Sequence, residues 1–311
     1  MSTHSSNSDS GRSVQLSILI VTFNSGETID VCLKSIVGEL ADIRGEVILV
    51  DNNSSDATPQ IISNWSQKDN RIISIMTQSN RGFSAGNNLA LEQASGEYIL
   101  ILNPDTELWP GSLNRLLTTL KENDHVGIVA PRLVFPDGRT QMSCRRFPRH
   151  RDVVYHTLGL DKVFSASAHF NAWKMGDFNH DASRQVDQPA GAALLIRGQL
   201  IRELGGFDEN FPMFFNDVEL CWQVKAQGYE IWYDWEAVVT HSGGASVRQV
   251  KAKMILSSHV SFFRFFEKHY TRIHQQPINF VVGVLLYLSL IPRLMAAAIF
   301  RGRGKKTRDI L

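Results

Sequence analysis

The chain has 311 residues, 43% hydrophobic and 20% charged, which excludes a disordered chain and allows a core for one large α/β domain or two smaller units. A formal net charge of +1 gives no reason to expect a nucleic-acid partner. The cysteines Cys32, Cys144 and Cys221 form no CxxC pair, which speaks against a disulfide scaffold or a cysteine-rich zinc site and fits a reducing compartment.

Met1 to Arg12 is polar, lacks the apolar core of a secretory signal and is expected to be a loose tail. Leu16 to Phe23, LSILIVTF, has the β-branched apolar run of a buried parallel strand; Asn24-Ser25-Gly26 turns, and Glu27 to Val37 has helical spacing. A strand over Glu46 to Val50 stops at Asp51-Asn52-Asn53-Ser54-Ser55-Asp56, and a helix follows near Thr58 to Trp65. The alternation continues with a strand at Ile72 to Met76, a helix at Ser84 to Ala94 and a strand at Tyr98 to Leu102 that ends on Asn103-Pro104-Asp105. Strand and helix in turn predict an open, mostly parallel sheet with ligands at the carboxyl ends of its strands. Asn24, Asp51, Asn80 and Asp105 stand at those ends.

A helix over Gly111 to Lys121 and a strand over Gly127 to Leu133 come next. Asp137 to Gln188 has weak periodicity and many Arg, His, Ser and Asn residues, so strand-loop excursions are expected there, not a second hydrophobic domain. Order returns at Gly191 to Ile196 and again from Phe207, with a helix over Val218 to Gln227 closed by Gly228.

Several segments carry groups suited to chemistry. Asp51 can accept hydrogen bonds from a nucleobase or ribose, although Ser and Asp in this loop equally suit a helix start. In Asn80 to Asn88, Arg81 and the amino end of the following helix could face a diphosphate; an ordinary surface loop fits too, and neither GxGxxG nor GxxxxGK spacing is present. Pro104 stiffens a loop in which Asn103 and Asp105 can reach one hard cation, or simply end a strand. Asp217 and Glu219 follow an apolar run, where one can serve as general base or both can favour a helix start. His241, in a glycine-rich turn, is a candidate metal ligand beside Asp105.

Taken in order, VTFN (21–24), DNNSSD (51–56), NRGFSAGNN (80–88), NPD (103–105), GAALLIR (191–197), GGFDENFPMFFNDVEL (205–220) and HSGGAS (241–246) resemble family 2 of the inverting glycosyltransferases, closest to rhamnosyltransferases of bacterial surface-polysaccharide assembly. The resemblance spans Gln15 to Ser246 and implies a GT-A fold, a nucleoside-diphosphate sugar donor, a divalent cation (Mg²⁺ or Mn²⁺) and inversion at the anomeric carbon. It implies that Asn24, Asp51 and Arg81 line the nucleotide, that Asn103 and Asp105 hold the outer positions of the DxD motif, and that His241 helps hold the metal-diphosphate. Asp217 then matches the catalytic base of the ED motif, with Asn216 and Glu219 beside the substrate. Two positions depart from the pattern: Asn103 replaces a carboxylate, and Asn216 stands where glutamate is usual. The donor so implied is dTDP-L-rhamnose and the acceptor a glycan or a polyprenyl-diphosphate-linked glycan. A UDP-sugar hexosyl or galactofuranosyl transferase, an inactive sugar-nucleotide-binding protein and a nucleotidyltransferase are the competing readings.

The C-terminal part differs in character. Phe262, Phe263, Phe265 and Phe266 cluster near Arg264, Lys268 and Arg272, a segment able to pack on the catalytic domain or to lie among lipid headgroups. Ile278 to Phe300 is long enough to cross a bilayer, but Pro292 and Arg293 interrupt it, and Arg301, Arg303, Lys305, Lys306 and Arg308 follow. The expected organisation is a flexible tail over 1–14, a GT-A catalytic domain over 15–250 and a helical membrane-associated tail over 251–311. That tail would attach as a monotopic or hairpin-like element to the cytoplasmic face of the plasma membrane; a homo-oligomer interface is the alternative use of its apolar surface.

Overall fold

A computed structural model of the chain describes residues 14–243 and 251–290. The N-terminal tail up to Arg12, Gly244 to Ser246 of the HSGGAS turn, and the C-terminal stretch with Pro292, Arg293, Phe300 and the basic cluster from Arg301 to Arg308 lie outside the described residues.

In chain order the elements are β1 (Leu16–Thr22), α1 (Ile29–Glu39), β2 (Gly45–Asp51), α2 (Thr58–Lys68), β3 (Ile72–Met76), α3 (Phe83–Gln93), β4 (Tyr98–Leu102), β5 (Thr106–Leu108), α4 (Ser112–Glu122) and β6 (Val126–Val134). There follow β7 (Cys144–Arg145), α5 (His150–Thr157), α6 (Leu160–Val163), β8 (Arg184–Val186), β9 (Gln188–Pro189), β10 (Ala193–Arg197), α7 (Gly198–Glu203), α8 (Asn216–Ala226), β11 (Glu230–His241) and α9 (Lys251–His269). A last helix, α10, covers 276–290 of the described residues, with Pro277 in its first turn, where a missing amide hydrogen costs nothing.

Among the described residues the main sheet has nine strands. Its path runs β3-β2-β1-β4-β10-β6-β11-β5, with β8 against β11. The β1–β2, β1–β4, β2–β3 and β6–β11 pairs are parallel, and β10 enters antiparallel between β4 and β6. All seven residues of β1 and all five of β4 are buried, the two-sided burial that an unalternating apolar run encodes. Helix α4 buries Leu113, Leu116, Leu117 and Leu120, a stripe at helical spacing that covers one face of the sheet. This is the mixed α/β architecture expected from the strand-helix alternation.

Two parts of the architecture differ from what the sequence leads one to expect. β11 runs for twelve residues along β6, and its last part pairs antiparallel with the three-residue β5, which sets His241 opposite Thr106. The stretch from Asp137 to Gln188, expected as strand-loop excursions, contains the helices α5 and α6; its strands are only two or three residues long. Polar residues organise this stretch from within. Asp161 pairs with His156 and Lys174, Arg146 with Asp177, and the buried His180 accepts a hydrogen bond from the Cys144 amide.

Helix α9 packs on the α/β body. Phe265 and Phe266 are fully buried and Phe262 nearly so, in clusters with Phe211, Val218, Val153 and Leu286. The aromatic run therefore serves as packing, the first of its two expected uses. Helix α10 follows with Ile278, Phe280, Val281, Val284, Tyr287 and Leu288 exposed. The 18-residue window Ile273–Leu290 has the length and mean hydropathy (1.2) of a membrane-crossing helix, with 22% of it buried.

Candidate active site

The carboxyl ends of β1, β2 and β4 gather the first group of expected site residues. Asp51, at the tip of β2, is 2% exposed. Its Oδ1 accepts from the Thr22 hydroxyl (2.8 Å) and the Ser54 hydroxyl (2.6 Å), and its Oδ2 from the Ser54 amide (2.8 Å). Asn24 has a left-handed backbone (φ 50°), tolerable for Asn, and its Oδ1 accepts from the Ser55 amide (2.9 Å). The two residues thus lock the turn after β1 onto the loop after β2. A nucleotide meeting Asp51 would find a carboxylate with most of its acceptor capacity already used on that loop.

The segment before α3 differs from expectation. Gly82 has φ +91°, and a Cβ there would lie 2.6 Å from the Pro212 carbonyl oxygen, so glycine is required by the close approach of the two loops. That carbonyl accepts from the amides of Phe83 (2.7 Å) and Ser84 (3.3 Å). The amino end of α3 is therefore capped by protein, and the expected diphosphate seat there is already filled. Arg81 remains largely exposed, with a loose ion pair to Glu209 at 3.7 Å.

The NPD loop and the end of β11 come together as expected. Asp105 Oδ1 lies 3.5 Å from His241 Nε2, and the Ser242 amide donates to the Asp105 carbonyl (3.0 Å). Gln141, which the sequence gave no reason to single out, orients the imidazole. Its Nε2 donates to the His241 carbonyl (2.6 Å), leaving Oε1 to face His241 Nδ1 at 3.1 Å. Nδ1 must then carry the proton, so Nε2 presents a lone pair toward a carboxylate oxygen. Two acceptors facing each other at that distance call for a cation or a proton between them. Among the described residues no group of three or more His, Cys, Asp or Glu side chains could hold a metal. The pair fits Mg²⁺ or Mn²⁺, which take few protein ligands and complete their shell with water and phosphate oxygens. Asn103 is half-buried beside them, its carbonyl accepting from the Thr106 hydroxyl (2.7 Å).

A cavity of about 460 Å³ opens next to this pair. Asp217, Gln188, Arg145, Gln141 and His241 form its polar wall, and Phe135, Trp173, Phe214 and Phe215 its apolar one. Asp217, the second residue of α8, accepts through Oδ2 from the Gly191 amide (3.0 Å) and Gln188 Nε2 (3.3 Å), and through Oδ1 from the Val218 amide (2.9 Å). Burial pushes its carboxyl above the ordinary range, and these bonds pull it down without cancelling that rise. A Cβ on Gly191 would lie 2.9 Å from the Asp217 Cβ, which is why the GAALLIR segment begins with glycine. Phe215, at the cap of α8, adopts φ 64°, a costly conformation for a bulky residue, held by its ring against Phe262 (4.7 Å between centroids).

Asn216 is buried at the first position of α8, and its Nδ2 has no hydrogen-bond partner among the described residues. Glu219, expected beside the substrate, points elsewhere. It accepts from His269 Nε2 (2.6 Å), Lys268 Nζ (2.7 Å) and Gln223 Nε2 (2.9 Å), and it is fully buried against α9. Burial pushes its carboxyl up, but the bonds from His269, Gln223 and Lys268 outweigh it and hold the group below its ordinary value. Two residues apart on a helix means about 200° of rotation, so Asp217 and Glu219 cannot share a face.

Comparison with known proteins agrees with this picture. The sequence pattern of Glycosyl transferase family 2 matches residues 17–179. The chain is 25% identical over 306 residues to an N-acetylglucosaminyl-diphospho-decaprenol L-rhamnosyltransferase of Mycobacterium tuberculosis, covering 94% of this chain and 97% of that protein. It is 36% identical over 110 residues to a GalNAc(5)-diNAcBac-PP-undecaprenol beta-1,3-glucosyltransferase of Campylobacter jejuni, 35% of each chain. Among solved structures, a mannosyltransferase from Pyrobaculum calidifontis in complex with GDP-Man and Mn²⁺ superposes with a TM-score of 0.57 at 19% identity, over 93% of this chain and 76% of that one. The fold is GT-A, and the chain belongs to glycosyl transferase family 2.

Proposed function

We propose that the chain is an inverting glycosyltransferase that moves L-rhamnose from dTDP-L-rhamnose to a polyprenyl-diphosphate-linked glycan at the cytoplasmic face of the plasma membrane. One observation carries the reaction class: a single cavity has the buried carboxylate Asp217 on its wall together with His241, whose Nε2 faces Asp105. In this reading Asp217 takes the proton from the acceptor hydroxyl as that oxygen attacks the anomeric carbon on the face opposite the departing nucleoside diphosphate. The backbone amides of Gly191 and Val218 fix both carboxylate oxygens, so the base meets the hydroxyl in one orientation. A divalent cation, when bound, supplies positive charge for the leaving diphosphate; Asp105 and His241 would hold it, with Gln141 keeping the imidazole in the ligating tautomer.

The rhamnosyl donor and lipid-linked acceptor are supported by the near full-length likeness to the mycobacterial rhamnosyltransferase. They are also supported by a second cavity, of about 150 Å³, that shares Trp173, Phe215 and Ser258 with the first and is bounded by Phe262 and Leu286 of the C-terminal helices. A pocket that adjoins the Asp217 cavity and reaches Leu286 and Ser289 of α10 would suit an acceptor tethered to lipid. The exposed apolar residues of α10 and the basic cluster beyond Phe300 support attachment to an anionic membrane surface. A donor panel tests the assignment: purified full chain, Mg²⁺, a prenyl-diphosphate-linked acceptor, and dTDP-L-rhamnose beside UDP-glucose, UDP-galactofuranose and UDP-N-acetylglucosamine. Acceptor-dependent product from dTDP-L-rhamnose is expected; product from a UDP-sugar alone would replace the donor, and pyrophosphate release from a nucleoside triphosphate and a sugar phosphate would replace the reaction.

A further inference from the structure

The cavity contains one cation that this scheme does not use. Arg145 is the second residue of the short strand β7, where successive side chains point to opposite sides. Cys144 points into the apolar core and is fully buried, so Arg145 points the other way, into the cavity. Its antiparallel partner in β9 is Gln188, the residue whose amide reaches Asp217. The guanidinium is held at one corner only: Nη1 donates to the carbonyls of Met142 (2.8 Å) and Cys144 (3.0 Å). Among the described residues no carboxylate lies within ion-pair distance, and Nε and Nη2 have no partner, yet neither is sealed from solvent. Burial pulls its pKa down, and the Asp217 carboxylate, which lines the same cavity without reaching ion-pair distance, only partly offsets that loss.

An arginine fixed through Nη1 presents Nε and Nη2 side by side, the edge that receives two oxygens of a phosphate or carboxylate. Other arginines in this part of the chain are differently placed: Arg146 is already paired with Asp177, and Arg149 is exposed. The apolar walls around Arg145 would strengthen its attraction for an incoming anion relative to bulk water.

We propose that Arg145 is a diphosphate-binding residue of the transfer site, gripping through its Nε/Nη2 edge a diphosphate brought by one of the two substrates. This rests on the glycosyl-transfer reading, under which both the sugar nucleotide and a lipid-linked acceptor bring a diphosphate to this cavity. Arg145 would hold that group in position beside Asp217 and takes no part in moving the proton.

The test has two arms, each run on the full chain with Mg²⁺, comparing wild type with Arg145→Met and Arg145→Lys. Calorimetry of dTDP against dTMP, and of UDP against UMP, reads the donor side. KM for a farnesyl-diphosphate-linked acceptor sugar against the octyl glycoside of the same sugar reads the acceptor side. A hydrogen-bonded charge contact is worth about tenfold to a hundredfold in binding. In Arg145→Met the preference for diphosphate should fall by that factor in one arm and hold in the other. Arg145→Lys should recover part of it, as a point charge without the fork, and it keeps the question answerable if the methionine variant does not fold. Wild-type preference retained by both variants in both arms would overturn the proposal, as would a wild type indifferent to diphosphate. Absence of turnover with every donor would instead count against the transfer reading, and the calorimetric arm would still report on Arg145.

Discussion

Replacing Asp217 by asparagine separates the chemistry of this site from its architecture. The carboxylate accepts three hydrogen bonds, from the amides of Gly191 and Val218 and from Gln188. Asparagine can turn its oxygen toward either amide, but its nitrogen then faces a donor. One contact is lost, at about 1–3 kcal/mol. Against this, the variant no longer buries a charge whose ionisation the site disfavours. The sign follows from the raised pKa. The folded carboxyl ionises above its unfolded value of about 3.9, so its ionisation costs stability. That cost is absent below the unfolded value and complete above the folded one. Asp217→Asn should thus lose little stability at neutral pH and look progressively worse than wild type as the pH falls through the folded pKa. Activity runs the other way, since only the ionised form can take a proton. Wild-type kcat/KM should fall on an acid limb lying above the ordinary carboxylate range.

The rate should drop by about 10²–10⁴-fold, the usual contribution of a general base, while the Kd for dTDP stays within a few-fold. Stopped assays of sugar transfer across pH, with calorimetry of dTDP and thermal melts on the same samples, measure all three quantities. A variant that transfers sugar at a near-normal rate would remove Asp217 from the role of base. Nucleotide binding lost in parallel with turnover would make the residue structural. Glu219 is not a substitute, because its carboxylate is spent on α9.

Further consequences can be measured independently. Asp105→Ala should abolish turnover and the Mn²⁺ enhancement of nucleotide binding without shifting the melt; full activity in that variant, or after thorough chelation, would remove the cation from the scheme. Glu219→Gln should destabilise the chain by about 3 kcal/mol, the low end for a broken buried pair, because Lys268 keeps Asp208 and is partly exposed. The loss should vanish as the pH falls below the Glu219 folded value, since a carboxyl held low stabilises only while ionised; an unchanged melt at neutral pH would contradict the anchoring role. Flotation with phosphatidylglycerol vesicles should recover the full chain but not a chain ending at Arg272, and equal recovery would assign the apolar face of α10 to subunit contact.

The parts of this architecture encoded locally could be read from the sequence. Leu16 to Thr22 and Tyr98 to Leu102 are apolar runs whose neighbours in the sheet bury both faces, so the run alone specifies the strand. The meeting of Asp105 with His241 follows from an ordered motif set, although 136 positions separate the two residues. What stayed illegible depends on partners distant in sequence. Gln141 and Gln188 are ordinary amides in a stretch without periodicity, and their roles exist only because β11 and α8 bring His241 and Asp217 to them. The amino end of α3 read as open because nothing in Asn80 to Asn88 announces that the carbonyl of Pro212 will cap it. Glu219 reads as a site residue because it stands two places from Asp217 and the helix is expected to begin only at Val218; with the helix beginning at Asn216, both residues lie on it and two places turn Glu219 to the other side.

That opposition on α8 links catalysis to the C-terminal helices. One side of the helix presents Asp217 to the cavity, and the other holds α9 through Glu219, His269 and Lys268. Phe215, at its cap, packs on Phe262 of α9 and also lines the cavity. The same residue keeps a left-handed backbone that few side chains tolerate, so the packing of α9 helps to fix the entry into α8 and with it the position of Asp217, the proposed base. The C-terminal helices therefore act on the site in two ways: through any surface on which α10 rests, and through the rigidity of α8. The two effects come apart in Glu219→Gln. It leaves α10 and its exposed residues intact, so vesicle binding should persist while kcat falls with the loosened anchoring of α8. If kcat instead held at wild-type level in a chain that melts lower, α8 would be positioned by its own contacts with β9 and β11, and the C-terminal helices would serve attachment alone.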